Sequence, residues 1–129
     1  MKHNKLLSYP PIIRDYLTYT ESIKGRSSKS VEEYAIDLTL FFRYLKQIRG
    51  LTSPDTDFDK IDIQDVDADL ISSVTISDLY SYLVYCKNER NNDVATRARK
   101  TTTLRMFFKY LTNQIHLLET NPAEQLDTP

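Results

Sequence analysis

Residues 27–50 read SSKSVEEYAIDLTLFFRYLKQIRG, and this stretch decides the fold. Val31, Tyr34, Leu38, Phe41, Phe42, Leu45 and Ile48 recur at steps of three and four, which lines them up on one stripe of an α-helix. The strict alternation that marks a half-buried strand is absent. The hydroxyl-rich start suits a helix cap: Ser28 or Ser30 is placed to accept the first unpaired N–H groups, and Ser30 with Glu33 has the capping-box form. Gly50 closes the helix, because glycine readily takes the left-handed conformation in which helices commonly end.

Upstream, Pro10 and Pro11 suit a first helical turn, where a missing N–H costs nothing. Ile13, Tyr16, Leu17, Thr20 and Ile23 give that helix an apolar face, and Gly25 ends it. Downstream, residues 51–74 hold no sustained period; the expectation is an acidic surface loop with room for one short helical turn. A third helix is expected from Ser77, with Asp78 in the first turn where negative charge suits the helix dipole. Leu79, Tyr82, Leu83 and Cys86 form its inner face, and Asn91-Asn92-Asp93 is a turn signal. Thr96 is expected to cap a fourth helix from about Arg97 to Asn113, with Thr101, Leu104, Phe107, Phe108, Leu111 and Ile115 turned inward. Asn121-Pro122 is expected to open a last short helix, and Asp127-Thr128-Pro129 has the composition of a linker. The resulting class is all-α, with four main helices and a short C-terminal one in a single domain over residues 1–129.

Composition narrows the function. Hydrophobic residues make up 40% and charged residues 27% of the chain, an ordinary globular balance. Apolar runs such as Leu38–Phe42 end far too early for a membrane span, and nothing near Met1 reads as a signal peptide. A single cysteine, Cys86, allows no internal disulfide and agrees with a reducing compartment, so the bacterial cytoplasm is expected. Asp55, Asp57 and Asp59 fit positions 1, 3 and 5 of a calcium loop, but Lys60 and Val66 replace the required Gly and Glu. Neither His3 nor His116 belongs to a zinc-ligand pair, and two isolated glycines make no phosphate loop. Tyr16, Tyr34 and Tyr82 fall on apolar faces and read as packing, as Cys86 does. No catalytic residue, metal, cofactor or small-molecule substrate is expected.

Charge distribution supplies the positive signal. Residues 51–74 carry seven aspartates and one lysine, net −6, whereas the whole chain is −1, so the remainder carries +5. Arg97, Arg99, Lys100, Arg105 and Lys109 fall within one acid-free helical stretch that also holds Thr96, Thr101, Thr102 and Thr103. Cations near a helix N-terminus oppose its dipole, so local stability does not account for them. A phosphate backbone does, because each neutralised phosphate releases a bound counterion and hydroxyls add short donors.

The order of motifs then resembles a known family. Ser27-x-x-Ser30-x-x-x-Tyr34-x-x-Asp37-Leu38-x-x-Phe41-x-x-x-Leu45 resembles the second-helix signature of tyrosine recombinases of the phage-integrase type, with Ser30 where Thr is usual. Thr75-Ile76-Ser77-Asp78-Leu79 is similar to the start of that family's third helix. Thr96-x-x-Arg99-Lys100-x-x-x-Leu104-Arg105-x-Phe107-Phe108-Lys109-Tyr110-Leu111, followed by Asn121-Pro122-Ala123, is similar to its fourth helix and exit. The resemblance implies a SAM-like core-binding domain that forms half of a clamp on double-stranded DNA, beside other recombinase protomers. It also implies which residues touch DNA: Ser28, Lys29 and Ser30 on the second helix, and Thr96, Arg97, Arg99, Lys100 and Arg105 on the fourth. Arg99 and Lys100 lead that set. Phe107, Phe108 and Leu111 are expected on the opposite side, in the core.

The family's chemistry uses arginines, a lysine, histidines and a tyrosine that attacks the scissile phosphate. Its His-x-x-Arg element is missing here, since Leu6 follows His3 and Glu119 follows His116 at that spacing. The chain is therefore expected to hold DNA without catalysis, with a catalytic domain expected after Pro129. Two other readings compete. One is a helical protein-interaction module that uses the acidic segment. The other is a stand-alone helix-turn-helix regulator, disfavoured because roughly ten residues part the third and fourth helices where that motif needs three or four.

Overall fold

Six α-helices, one 3-10 turn and a terminal π turn form the regular backbone of the computed structural model, which describes residues 1–129. No strand occurs, and the chain is all-α as its periodicity requires. The helices are α1 (His3–Leu6), α2 (Pro11–Ser22), α3 (Ser28–Ile48), α4 (Ala68–Ser72), α5 (Ile76–Asn88) and α6 (Val94–Lys109). The backbone groups into two compact units, Met1–Ala68 and Asp69–Pro129.

In the first unit, α2 packs on α3. Pro11 is the first residue of α2, where its fixed φ is already helical. Ile13, Tyr16, Leu17 and Thr20 are buried, but Ile23 is 73% exposed because α2 stops one residue earlier. Arg26 N–H then donates to the Thr20 carbonyl at 3.0 Å around Gly25, whose φ of +67° no β-carbon would favour. The cap of α3 is Ser27, not Ser28 or Ser30: Ser27 Oγ accepts from Ser30 N–H at 3.2 Å. Ser27 alone has the extended backbone that aims its hydroxyl at the open donors, so the expected Ser30–Glu33 box does not form. Val31, Leu38, Phe41, Phe42 and Leu45 are buried along α3; Tyr34 is half-buried and Ile48 exposed.

Residues 51–74 depart from the expected solvated loop. Ile61, Ile63, Val66, Ile71 and Val74 are all buried, while all seven aspartates of the stretch are exposed. Two α3 cations hold part of it: Arg43 Nε donates to the Ile61 carbonyl at 3.0 Å, and Lys46 Nζ to the Asp62 carbonyl at 2.7 Å. Lys46, itself 6% exposed, also pairs with Asp65 at 2.7 Å. A short-range pattern of apolar residues in and carboxylates out explains why no helical period is visible. The segment carries a 3-10 turn (Phe58–Lys60) and then α4, two helical pieces where one was expected.

In the second unit, α5 packs on α6. Helix α5 begins one residue before the expected Ser77, capped reciprocally by Thr75 and Asp78 in a full capping box. Leu79, Tyr82, Leu83 and Cys86 are buried as their spacing requires. Helix α6 begins at Val94, three residues ahead of expectation, because Asp93 rather than Thr96 caps it: Asp93 Oδ1 accepts from Thr96 N–H at 2.8 Å. Past Lys109 the helix widens into the π turn Tyr110–Gln114, closed by Ile115 N–H to the Tyr110 carbonyl at 3.1 Å. A wider turn rotates each residue less, and Ile115 leaves the buried phase to become 44% exposed. The expected last helix at Asn121 is only a turn, pinned by Asn121 Oδ1 accepting from Ala123 N–H at 2.8 Å.

Candidate nucleic-acid interface

Helix α6 contains no acidic residue, and its burial is one-sided. Thr101, Thr103, Leu104, Phe107 and Phe108 are buried, with Leu111 buried just beyond the helix end. Arg99, Thr102, Arg105 and Lys109 are exposed on the other side. Phe108, nine residues on, falls half a turn from Arg99, whereas Phe107, eight residues on, lies about 80° from it and is buried on the flank. The result is a polar, cationic face backed by apolar packing.

The expected residues do not all reach that face. Arg99 and Arg105 do. Lys100 does not: it is 3% exposed, and its ammonium donates to Asn92 Oδ1 at 2.6 Å, with Cys86 Sγ 3.9 Å away. One step of 100° around the helix carries it from Arg99's exposed side to the buried one. Arg97 is half-buried, with its Nε out of solvent and without a hydrogen-bond partner. Thr96, half-buried, lies in the first turn, where its N–H and side chain both bond the Asp93 carboxylate. Those bonds, backbone first, lower the Asp93 pKa from its ordinary 3.8, and the charge of Arg97 adds to them. An acid at the cap therefore gives Arg97 a local partner that the dipole alone would deny it.

The threonine hydroxyls are not held in reserve for phosphates. Thr101, Thr102 and Thr103 donate to the carbonyls of Arg97, Ala98 and Arg99 at 2.8, 3.1 and 3.3 Å. This back-bonding is common for hydroxyls inside helices and uses their one donor proton. At the start of α3, Ser28 and Lys29 are exposed and Ser30 is half-buried. Ser28 Oγ donates to Glu21 Oε2 at 3.4 Å, and Ser27 Oγ donates to Ser30 Oγ at 3.1 Å.

Five polar residues omitted from the expected set, Thr102, Lys109, Asn113, Asn121 and Glu124, line the surface beside Arg105. A groove of about 420 Å³ runs along the second half of α6, lined by Arg105, Met106, Lys109, Asn113, Asn121 and Glu124 among others. Lys109 was visible as the fourth residue after Arg105, which returns it to the same side. Asn121 could not be placed from its neighbours, because a turn rather than a helix brings it there.

The chain is 48% identical over 123 residues to the tyrosine recombinase XerC of Caldanaerobacter subterraneus subsp. tengcongensis, covering 95% of this chain and 35% of that protein. It is 36% identical over 117 residues to XerC of Herpetosiphon aurantiacus, covering 91% and 32%. It is 25% identical over 118 residues to the tyrosine recombinase XerD of Listeria monocytogenes, covering 92% and 33%. The chain thus spans about a third of the length of these curated relatives. No family model matches it. No solved structure matches it.

Proposed function

We propose that this chain, which over the length it spans belongs with the tyrosine recombinases, holds duplex DNA for strand cleavage and rejoining performed by the rest of a longer protein. The observation that carries the reading is the acid-free outer face of α6, where Arg99, Arg105 and Lys109 stand exposed over a packed inner face. Lys109 in the last turn suits the helix dipole, but the cations of Arg99 and Arg105 lie away from that end and are not explained by it. They suit a polyanion, whose binding is driven by release of condensed counterions.

On this reading residues 1–129 act as one core-binding domain, with Ser28, Lys29 and Ser30 at the start of α3 as further contacts. Arg99 and Arg105 are the principal phosphate contacts, and Arg97 and Thr96 support the start of α6. Lys100 serves the fold. Positioning, not bond-making, is the contribution of this chain. The reaction of the parent protein is covalent 3′-phosphotyrosyl exchange, carried out with other protomers on the same DNA in the bacterial cytoplasm.

A salt series tests the reading. Binding of the chain to a fluorescent duplex should weaken linearly on a log–log plot of affinity against salt. Arg99→Gln with Arg105→Gln should lower affinity and flatten that slope by about 2, roughly one for each phosphate no longer neutralised. Salt-independent binding, or an unchanged slope in the double variant, would overturn it.

A further inference from the structure

We infer that Tyr80 is a positioning residue for the strand cleavage proposed above: its hydroxyl clasps residues 125–127 to α5 and so fixes where the chain leaves toward the rest of a longer protein. This role rests on the DNA-holding reading, with the remainder of that protein following residue 129, and gives α5 a task of its own.

Beyond the π turn the chain doubles back along the second unit. Leu117 and Leu118 N–H both donate to the Leu111 carbonyl, at 2.8 and 3.2 Å. Asn121, Ala123 and Glu124 then border α6, lining one groove with Arg105 and Met106. Ala123 and Leu126 are 1% and 2% exposed, so this strap is seated and not merely adjacent. Its far end meets α5. Tyr80 Oη donates to the Gln125 carbonyl at 3.4 Å and accepts from Asp127 N–H at 3.1 Å. A phenol has one proton to give and lone pairs to receive with, and both roles are used here on backbone groups that flank the buried Leu126. Asp127 N–H makes the last hydrogen bond of the chain; Thr128 and Pro129 are exposed and make none.

Tyr80 is 39% exposed, and Leu79, Tyr82 and Leu83 already supply the packing of α5. What the hydroxyl adds is local: it decides where the strap ends. The strap begins beside the cationic side of α6 and ends on α5, which fixes the exit relative to the surface that holds DNA. A nucleophile carried beyond that exit must meet one scissile phosphate, and a misplacement of about 1 Å costs on the order of a hundredfold in rate. A held exit narrows the positions it samples, and a loose one spreads them.

Two measurements test this. In the 129-residue chain, Leu126 N–H donates to the Ala123 carbonyl at 3.1 Å and reports on the strap. Tyr80→Phe keeps the ring and removes the hydroxyl. It should speed amide exchange at Leu126 several-fold, with exchange in α6 and the thermal melt unchanged. Unchanged exchange at Leu126 would show that the clasp holds nothing. In the longer protein, the same variant should cleave pre-bound duplex several-fold more slowly in a single turnover, at wild-type affinity and salt slope. Two glycines inserted after Asp127 leave the clasp intact and lengthen the exit by up to about 7 Å, and they should reproduce the slowing.

Wild-type cleavage rates in both variants would overturn the positioning role and leave the DNA-holding reading standing. Slowing by Tyr80→Phe but not by the insertion would also overturn it, because the hydroxyl would then act elsewhere than on the exit. Weakened duplex binding by Tyr80→Phe would move Tyr80 to the DNA-holding surface instead. If the wild-type chain shows no salt-dependent duplex binding, both readings fall.

Discussion

Lys100 ties the turn before α6 to the helix that follows it. Its ammonium meets Asn92 Oδ1, while Asn92 N–H reaches back to the Cys86 carbonyl at 3.0 Å and its amide donates to the Arg90 carbonyl at 3.3 Å. Asn91, with φ of +54°, makes the reversal that these bonds secure. Lys100→Met should therefore cost about 1–3 kcal/mol in chemical denaturation, the usual consequence of stranding a buried polar partner. The same variant, kept below its melting temperature, should show the wild-type salt slope for duplex binding. A flattened slope would return Lys100 to the interface. From composition alone, Arg99 and Lys100 are equivalent members of one cluster. What separates them is helical phase, since Lys100 lies four residues before Leu104 on the buried stripe, together with an acceptor eight residues earlier in the turn, which no periodicity reveals.

At the level of elements, helix existence was legible and helix ends were less so. The spacing of Ile13 to Thr20, Val31 to Leu45, Leu79 to Cys86 and Leu104 to Leu111 located four helices, because burial of one stripe is what stabilises them. Two caps were misplaced because several hydroxyls or carboxylates stood near each start, and only backbone conformation chooses among them. Asp93 offers a check on the choice. Its folded pKa lies below the ordinary 3.8, so its contribution to α6 is present in full above that value and is lost as pH falls through the lower folded pKa. Amide exchange at Thr96, monitored by NMR, should lose protection selectively on acidification below about pH 4. Protection that persists unchanged in Asp93→Ala would show that another group caps the helix. Lys109 was also readable at this scale, as a phase partner of Arg105. Asn113 was not, because it lies in the π turn.

Across the whole chain, the aspartates of residues 51–74 and the cations of α6 explain why a net charge of −1 says little about nucleic acid. Charge could be partitioned from sequence, but the structural part of the acidic segment could not, since five separated apolar residues make no helical stripe. Ile61 is 2% exposed, and Ile61→Ala should lower unfolding free energy by about 2–4 kcal/mol. Replacing Asp55, Asp57 and Asp59 by Asn should leave the thermal melt nearly unchanged, because all three are exposed. The same triple variant should bind duplex more tightly at low salt. That gain should shrink above about 0.1 M, where exposed charges are screened beyond roughly 10 Å. A melt lowered as far as that of Ile61→Ala would contradict the division of labour between the two residue sets.

Arg43 and Lys46 grip the segment through the carbonyls of Ile61 and Asp62, groups that every amino acid carries. The path of the chain there consequently leans on one outward side chain, Asp65, which pairs with Lys46, and leaves exposed positions such as Asp55 and Asp59 open to exchange. Acidity can be dialled up or down at those positions without redrawing the backbone, which makes this stretch a tuning knob for how strongly the protein is drawn toward, or held off from, a polyanion.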